Sequence, residues 1–61
     1  ELKTNNAEAY NNIGSSYNAL GIYEKAIIAC QKAVDFKPDF TLAKNNLNYA
    51  REKLRIQKEG K

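Results

Sequence analysis

The pair Asn11-Asn12 in the stretch AYNNIG returns as Asn45-Asn46 in AKNNLN, 34 residues further along the chain. Laying residues 1–22 over 35–56 also aligns Lys3 with Lys37, Ala9 with Ala43, Leu20 with Leu54 and Ile22 with Ile56, while Ile13 falls on Leu47 and Leu2 on Phe36. Asparagine costs several tenths of a kcal/mol against alanine inside a helix, because its amide competes for nearby backbone groups. Poor helix formers kept at a fixed step mark an internal repeat, and a period of this length holds one supersecondary unit.

A chain of 61 residues makes one domain and buries only about 60% of the surface exposed by its unfolded form. So thin a core needs a disulfide, a metal, a partner subunit or very regular helix packing. One Cys and no His exclude an internal disulfide and leave no zinc set, so packing or association has to supply the stability. The single thiol fits a reducing compartment such as the cytoplasm better than an oxidising one. No apolar run approaches the roughly 20 residues that span a bilayer, so no membrane partner is expected. The start ELKTNN lacks the character of a secretory signal.

Residues 1–50 carry balanced charge, and the whole net charge of +3 lies in REKLRIQKEGK. Five cations stand there (Arg51, Lys53, Arg55, Lys58, Lys61) against Glu52 and Glu59. With no aromatic residue interleaved, the run reads as a solvated helix end, where cations suit the helix dipole, rather than a nucleic-acid surface.

Apolar spacing predicts three helices. Ala9, Tyr10, Ile13, Gly14, Tyr17 and Leu20 recur at three- and four-residue steps, which places a first helix at about 7–20, started by Asn5 or Asn6 and stopped at Gly21. Tyr23, Ala26, Ile27, Cys30, Ala33 and Val34 form a second stripe, closed near Phe36 because Pro38 disfavours helix in the residue before it. The short connection around Gly21 makes these two an antiparallel hairpin. A third, longer helix carries Ala43, Leu47, Ala50 and Leu54, with Asp39 or Thr41 expected to cap it.

The run AEAYNNIGSSYNALGIYEKAIIACQKAVDFKPDF, residues 7–40, resembles one tetratricopeptide repeat (TPR). The family's large aromatic is matched by Tyr10, its Leu-Gly pair by Ile13-Gly14, and its first-helix Tyr by Tyr17. Gly21 stands at its turn, Tyr23 at its following Tyr, Ala26 and Ala33 at its small positions, Cys30 within the second stripe, and Pro38 at its Pro. The resemblance implies an all-α fold, a TPR-type helical hairpin followed by a solvating C-terminal helix, as a fragment of an α-solenoid. Residues 1–6 then read as the tail of a preceding repeat or a linker, and 41–61 as a capping helix with a basic, frayed end. Asn48, Arg51 and Arg55 replace the family's Gly, Tyr and turn Gly in that third helix, which frees it from the hairpin requirement.

Catalysis is not expected. The chain has no His to act as general base and no nucleophile in a recognisable turn, its glycines are too dispersed for a phosphate loop, and no metal or cofactor set is present. Cys30, in the middle of an apolar stripe, reads as a small core residue. The resemblance implies a protein-interaction module whose first helices line a concave face. Asn12 and Asn46, at the same place one repeat apart, resemble the asparagine row of O-GlcNAc transferase repeats, which implies amides that grip the backbone of an extended peptide, and Glu8, Asn11, Ser15, Asn18 and Asn45 are the candidates to complete that lining. Asn12 and Asn46 instead tie neighbouring helices together if the row is structural, and both roles are compatible. The alternative function is self-association, or completion of a larger repeat array, since Ile22 and Ile28 fall off the stripes and invite a second copy. RNA binding, known for helical repeats of similar length, would need a basic face in place of these neutral amides.

Overall fold

A computed structural model describes residues 6–60, which form α1 (Asn6–Leu20), α2 (Tyr23–Phe36) and α3 (Thr41–Glu59), with no strand among them. The chain is all-α, a hairpin of α1 and α2 followed by a longer third helix. The central helix α2 packs against both others, and α3 also touches α1.

Both stops act through backbone chemistry. Gly21 has φ 80°, a left-handed conformation that costs other L-residues roughly 1–2 kcal/mol. Its N–H donates to the Asn18 carbonyl (3.1 Å), and the Ile22 N–H donates to that of Tyr17 (2.9 Å). These paired bonds satisfy the last carbonyls of α1 and turn the chain back at once. At the second stop the Lys37 N–H closes α2 on Ala33 (3.0 Å), and the Phe40 N–H donates to Lys37 (3.0 Å) across Pro38-Asp39. Proline presets the backbone of such a turn and has no N–H to lose.

The structure departs from the sequence expectations at the start of α3 and along α1. Phe40, and neither Asp39 nor Thr41, occupies the N-cap of α3, without a side-chain cap bond; the turn through Pro38 places Asp39 one residue too early and Thr41 already inside the helix. Asn5, proposed to start α1, lies outside the described residues, and Asn6 is itself helical. The stripe read on α1 is also rotated. Its buried line is Ala7, Asn11, Gly14 and Asn18, whereas Ile13 and Leu20 are 45% and 71% exposed. α2 and α3 both approach from the side of the small and amide residues, so the larger apolar side chains are left beside the contact.

The core is built from small side chains. Ala7, Ala26, Ala29, Ala33, Ala43 and Ala50 are buried with Leu47, and the largest side chain that is fully buried is Cys30. Each such residue buries little, at about 0.8 kcal/mol per methylene, so the helices have to come close. At Gly14 α1 and α2 meet closely. A Cβ added there would overlap Cys30 Sγ and stand 3.3 Å from both the Ala26 carbonyl oxygen and the Cys30 nitrogen. Aromatic pairs cover the edges: Tyr10 stacks on Phe36 (5.7 Å, 12°), and Tyr23 meets Tyr49 edge-on (6.2 Å, 72°). Such pairs add about 0.5–1.5 kcal/mol beyond the area they bury.

Gly14→Ala gains up to about 1 kcal/mol of helix propensity but overpacks the crossing, which costs about 1–3 kcal/mol. The net effect expected in urea denaturation is a loss, and much of that loss should disappear when Gly14→Ala is made in a Cys30→Ala background. Burial pushes the Cys30 thiol up from its ordinary value by desolvating the thiolate. The folded chain therefore keeps its proton where the unfolded chain loses it, so this contribution is intact below the ordinary thiol range and declines as pH rises through it. Between about pH 8 and about pH 10, the wild type should lose more stability than Cys30→Ala.

Candidate functional site

The asparagines divide between two tasks. Asn11 projects from the buried line of α1 and is 8% exposed. Its Oδ1 accepts a hydrogen bond from Asn46 Nδ2 of α3 at 2.8 Å. One helical turn pair further along the same line, Asn18 is also 8% exposed, and its Nδ2 donates to the Asn46 backbone carbonyl at 3.2 Å. The Asn18 Oδ1 is buried and accepts nothing among the described residues. Three amides thus form a polar seam between α1 and α3. A buried amide left without its partner costs about 1–3 kcal/mol, so the seam fixes which residues of α3 lie against which of α1.

The neighbours of these amides face solvent. Glu8, Asn12 and Ser15 lie on one side of α1 at helical spacing, and all three are exposed, as is Asn45 on α3. By the 34-residue register, Leu42 and Tyr49 are the α3 counterparts of Glu8 and Ser15; they are 64% and 47% exposed. The Lys53 ammonium sits 5.5 Å from the Tyr49 ring centroid, a contact worth about 0.5–1 kcal/mol at an exposed site. The exposed face is therefore mainly neutral and polar along α1, and carries an aliphatic and an aromatic side chain along α3. Arg51 reaches α2 instead, with Nη2 donating to Gln31 Oε1 at 3.4 Å. Arg55 is held on its own helix between Glu52 and Glu59.

Residues 7–40 match the family model of the tetratricopeptide repeat. The chain belongs to that family. No curated protein and no solved structure matches it. The TPR is a protein-interaction fold that is generally non-catalytic, and protein partners follow from that membership. Among the described residues no cluster of His, Cys, Asp or Glu is suited to a metal ion, and no helix is long and apolar enough to cross a membrane.

The TPR positions named from the sequence distribute as follows. Gly14, Ala26, Cys30 and Ala33 make the crossing of α1 and α2, Tyr10, Tyr17 and Tyr23 are half-buried beside it, Gly21 and Pro38 form the turns, and Ile13 stands open. Of the seven candidates for ligand contact, Asn11, Asn18 and Asn46 are engaged between helices, and Glu8, Asn12, Ser15 and Asn45 remain exposed. Leu42 and Tyr49 belong with the exposed set, and the repeat register was the signal that pointed to them.

Asn46→Ala removes the donor to Asn11 Oδ1 and should cost about 1–3 kcal/mol, more than the propensity it gains. Asn12→Ala, on the exposed side, should change stability by no more than about 0.5 kcal/mol. Thermal unfolding followed by helicity separates the two; equal effects would contradict the division.

Proposed function

We propose that this TPR is a non-catalytic module that holds an extended peptide across the exposed face of α1 and α3. The observation that carries the reading is the pairing of a fixed seam with unspent amides. Asn11, Asn18 and Asn46 lock the two helices together, and Asn12 and Asn45, each one residue from a seam position, are left in solvent with Ser15 and Glu8. An extended segment leaves its own N–H and C=O groups unpaired, and an amide both donates and accepts, so it suits a peptide backbone of any sequence. Leu42 and Tyr49 supply apolar contact beside the amides. Because the seam sets the spacing before any ligand arrives, little ordering cost remains for binding.

The test is a screen of capped, unstructured peptides against the 61-residue chain, with affinities measured by fluorescence anisotropy. For a peptide that binds, Asn12→Ala combined with Asn45→Ala should weaken affinity by about tenfold or more, the worth of one to two net hydrogen bonds, with helicity unchanged. Asn46 is unsuitable for this purpose because its loss opens the seam. Unaltered affinity in the Asn12/Asn45 variant removes these amides from the mechanism.

A further inference from the structure

α3 carries a second apolar line, open among the described residues. Leu42, Tyr49 and Ile56 follow one another at steps of seven residues and are 64%, 47% and 48% exposed. At 100° per residue they fall within about 40° of one another, on the side of the helix away from the buried Ala43, Leu47 and Ala50. The line is not carried over from the first helix, whose counterparts 34 residues earlier are Glu8, Ser15 and Ile22. Nor is it the side that α1 gives to α2. Tyr10 and Gly14 make that contact, and their counterparts on α3 are Lys44 and Asn48, both exposed. A helix packed on α3 as α2 packs on α1 would therefore leave Leu42, Tyr49 and Ile56 uncovered.

We propose that this line is a self-association surface, on which α3 pairs antiparallel with α3 of a second copy.

The seven-residue step favours a helix as the occupant, because it keeps one seam turned toward a partner helix at a shallow crossing. The order of the residues selects a copy of the same chain. Leu42 and Ile56 stand equally far from Tyr49, so a second α3, turned end for end about Tyr49, lays its Ile56 on Leu42 and its Leu42 on Ile56. Two Tyr49 rings meet at the centre. The line is thus its own complement, as a two-fold interface requires.

The flanks agree with this register. Asn45 comes beside Glu52 of the second copy, an amide donor next to a carboxylate acceptor. On the other flank Lys53, which lies beside the Tyr49 ring, comes next to Asn46 of the second copy. The seam with α1 uses Nδ2 of Asn46, and its Oδ1 is the acceptor for the ammonium. No charge stands opposite its own kind. Parallel pairing would set Glu52 on Glu52 and Lys53 on Lys53, and would bring together two basic ends in which Arg51, Lys53, Arg55 and Lys58 outnumber Glu52 and Glu59. The antiparallel pair covers Leu42, Asn45 and Tyr49 of the peptide face, so a peptide and a second copy exclude one another there, whereas Ile56 belongs to the dimer alone.

Three apolar side chains from each chain make a small interface, of the weakly associating class. Sedimentation equilibrium of the 61-residue chain, from micromolar to millimolar concentration, should show monomer passing to dimer and stopping there. Ile56→Gln, at an exposed position, should weaken the dimer by about tenfold or more, since each dimer loses two buried aliphatic side chains, with helicity retained. Ile28→Gln, on the exposed side of α2, should leave it unchanged. The register is read in a Cys30→Ala background, where Leu42→Cys and Ile56→Cys chains mixed in a glutathione redox buffer should form a disulfide with each other in preference to either with itself. A monomer at every concentration overturns the proposal. So does a ladder of larger oligomers, an assembly lost with Ile28→Gln and kept with Ile56→Gln, or a preference for disulfides between identical chains. The measurement uses no peptide, so its result stands apart from that of the peptide screen.

Discussion

The close crossing of α1 and α2 at Gly14 is the constraint on which the other contacts depend. With Cys30 and Ala26 directly opposite and the Cys30 sulfur in the space a Cβ would need, α1 and α2 approach closely there. Small residues on both sides then reach one another, which is how a core of alanines can hold at all. Had the crossing been wider, the same alanines would face voids, and a void forfeits the dispersion contacts that make up most of the worth of a small side chain. The aromatic side chains belong to this arrangement as its covers. Tyr10 on Phe36 and Tyr23 on Tyr49 spread over the rim of a core one layer deep, where no second layer would otherwise exclude water.

Such a core is apolar but unspecific, because alanine faces slide past one another at little cost. The seam of amides supplies what the alanines lack. An Asn46 to Asn11 bond of 2.8 Å is broken by a shift of one residue, and the buried Asn18 adds a second point of register through the Asn46 carbonyl. That polar groups confer specificity where apolar packing is permissive is well established for single buried asparagines in helical assemblies. Here the cost of the seam shows in the Asn18 Oδ1, which is buried with no donor among the described residues.

Much of the fold was legible because its stops are chemical. Gly21 reads as a left-handed turn and has φ 80°; Pro38 forbids the helix behind it, and α2 ends at Phe36. The rotation of α1 was not legible, for a definite reason. Periodicity reports that large apolar residues share a face, and the usual inference is that this face is the buried one. In α1 the neighbours lie on the side of Ala7, Asn11, Gly14 and Asn18, two of them polar, so part of the apolar stripe is left open among the described residues. The cap of α3 was hidden by the turn geometry at Pro38, which shifts the helix start relative to Asp39. The asparagine repeat was visible, but not which member of each pair would be engaged.

That last ambiguity has a physical resolution in the order of the helices. Adjacent residues on a helix point about 100° apart, so a doubled asparagine presents one amide to each of two directions. α1 meets α3 as the element that follows it and uses Asn11; α3 meets α1 as the element that precedes it and uses Asn46. The unused members, Asn12 and Asn45, are exposed among the described residues. The doubling thus explains how one short motif at a 34-residue step supplies both a structural bond and an exposed amide on each helix. A single asparagine on either helix would supply the seam bond or an exposed amide, and the pair supplies both.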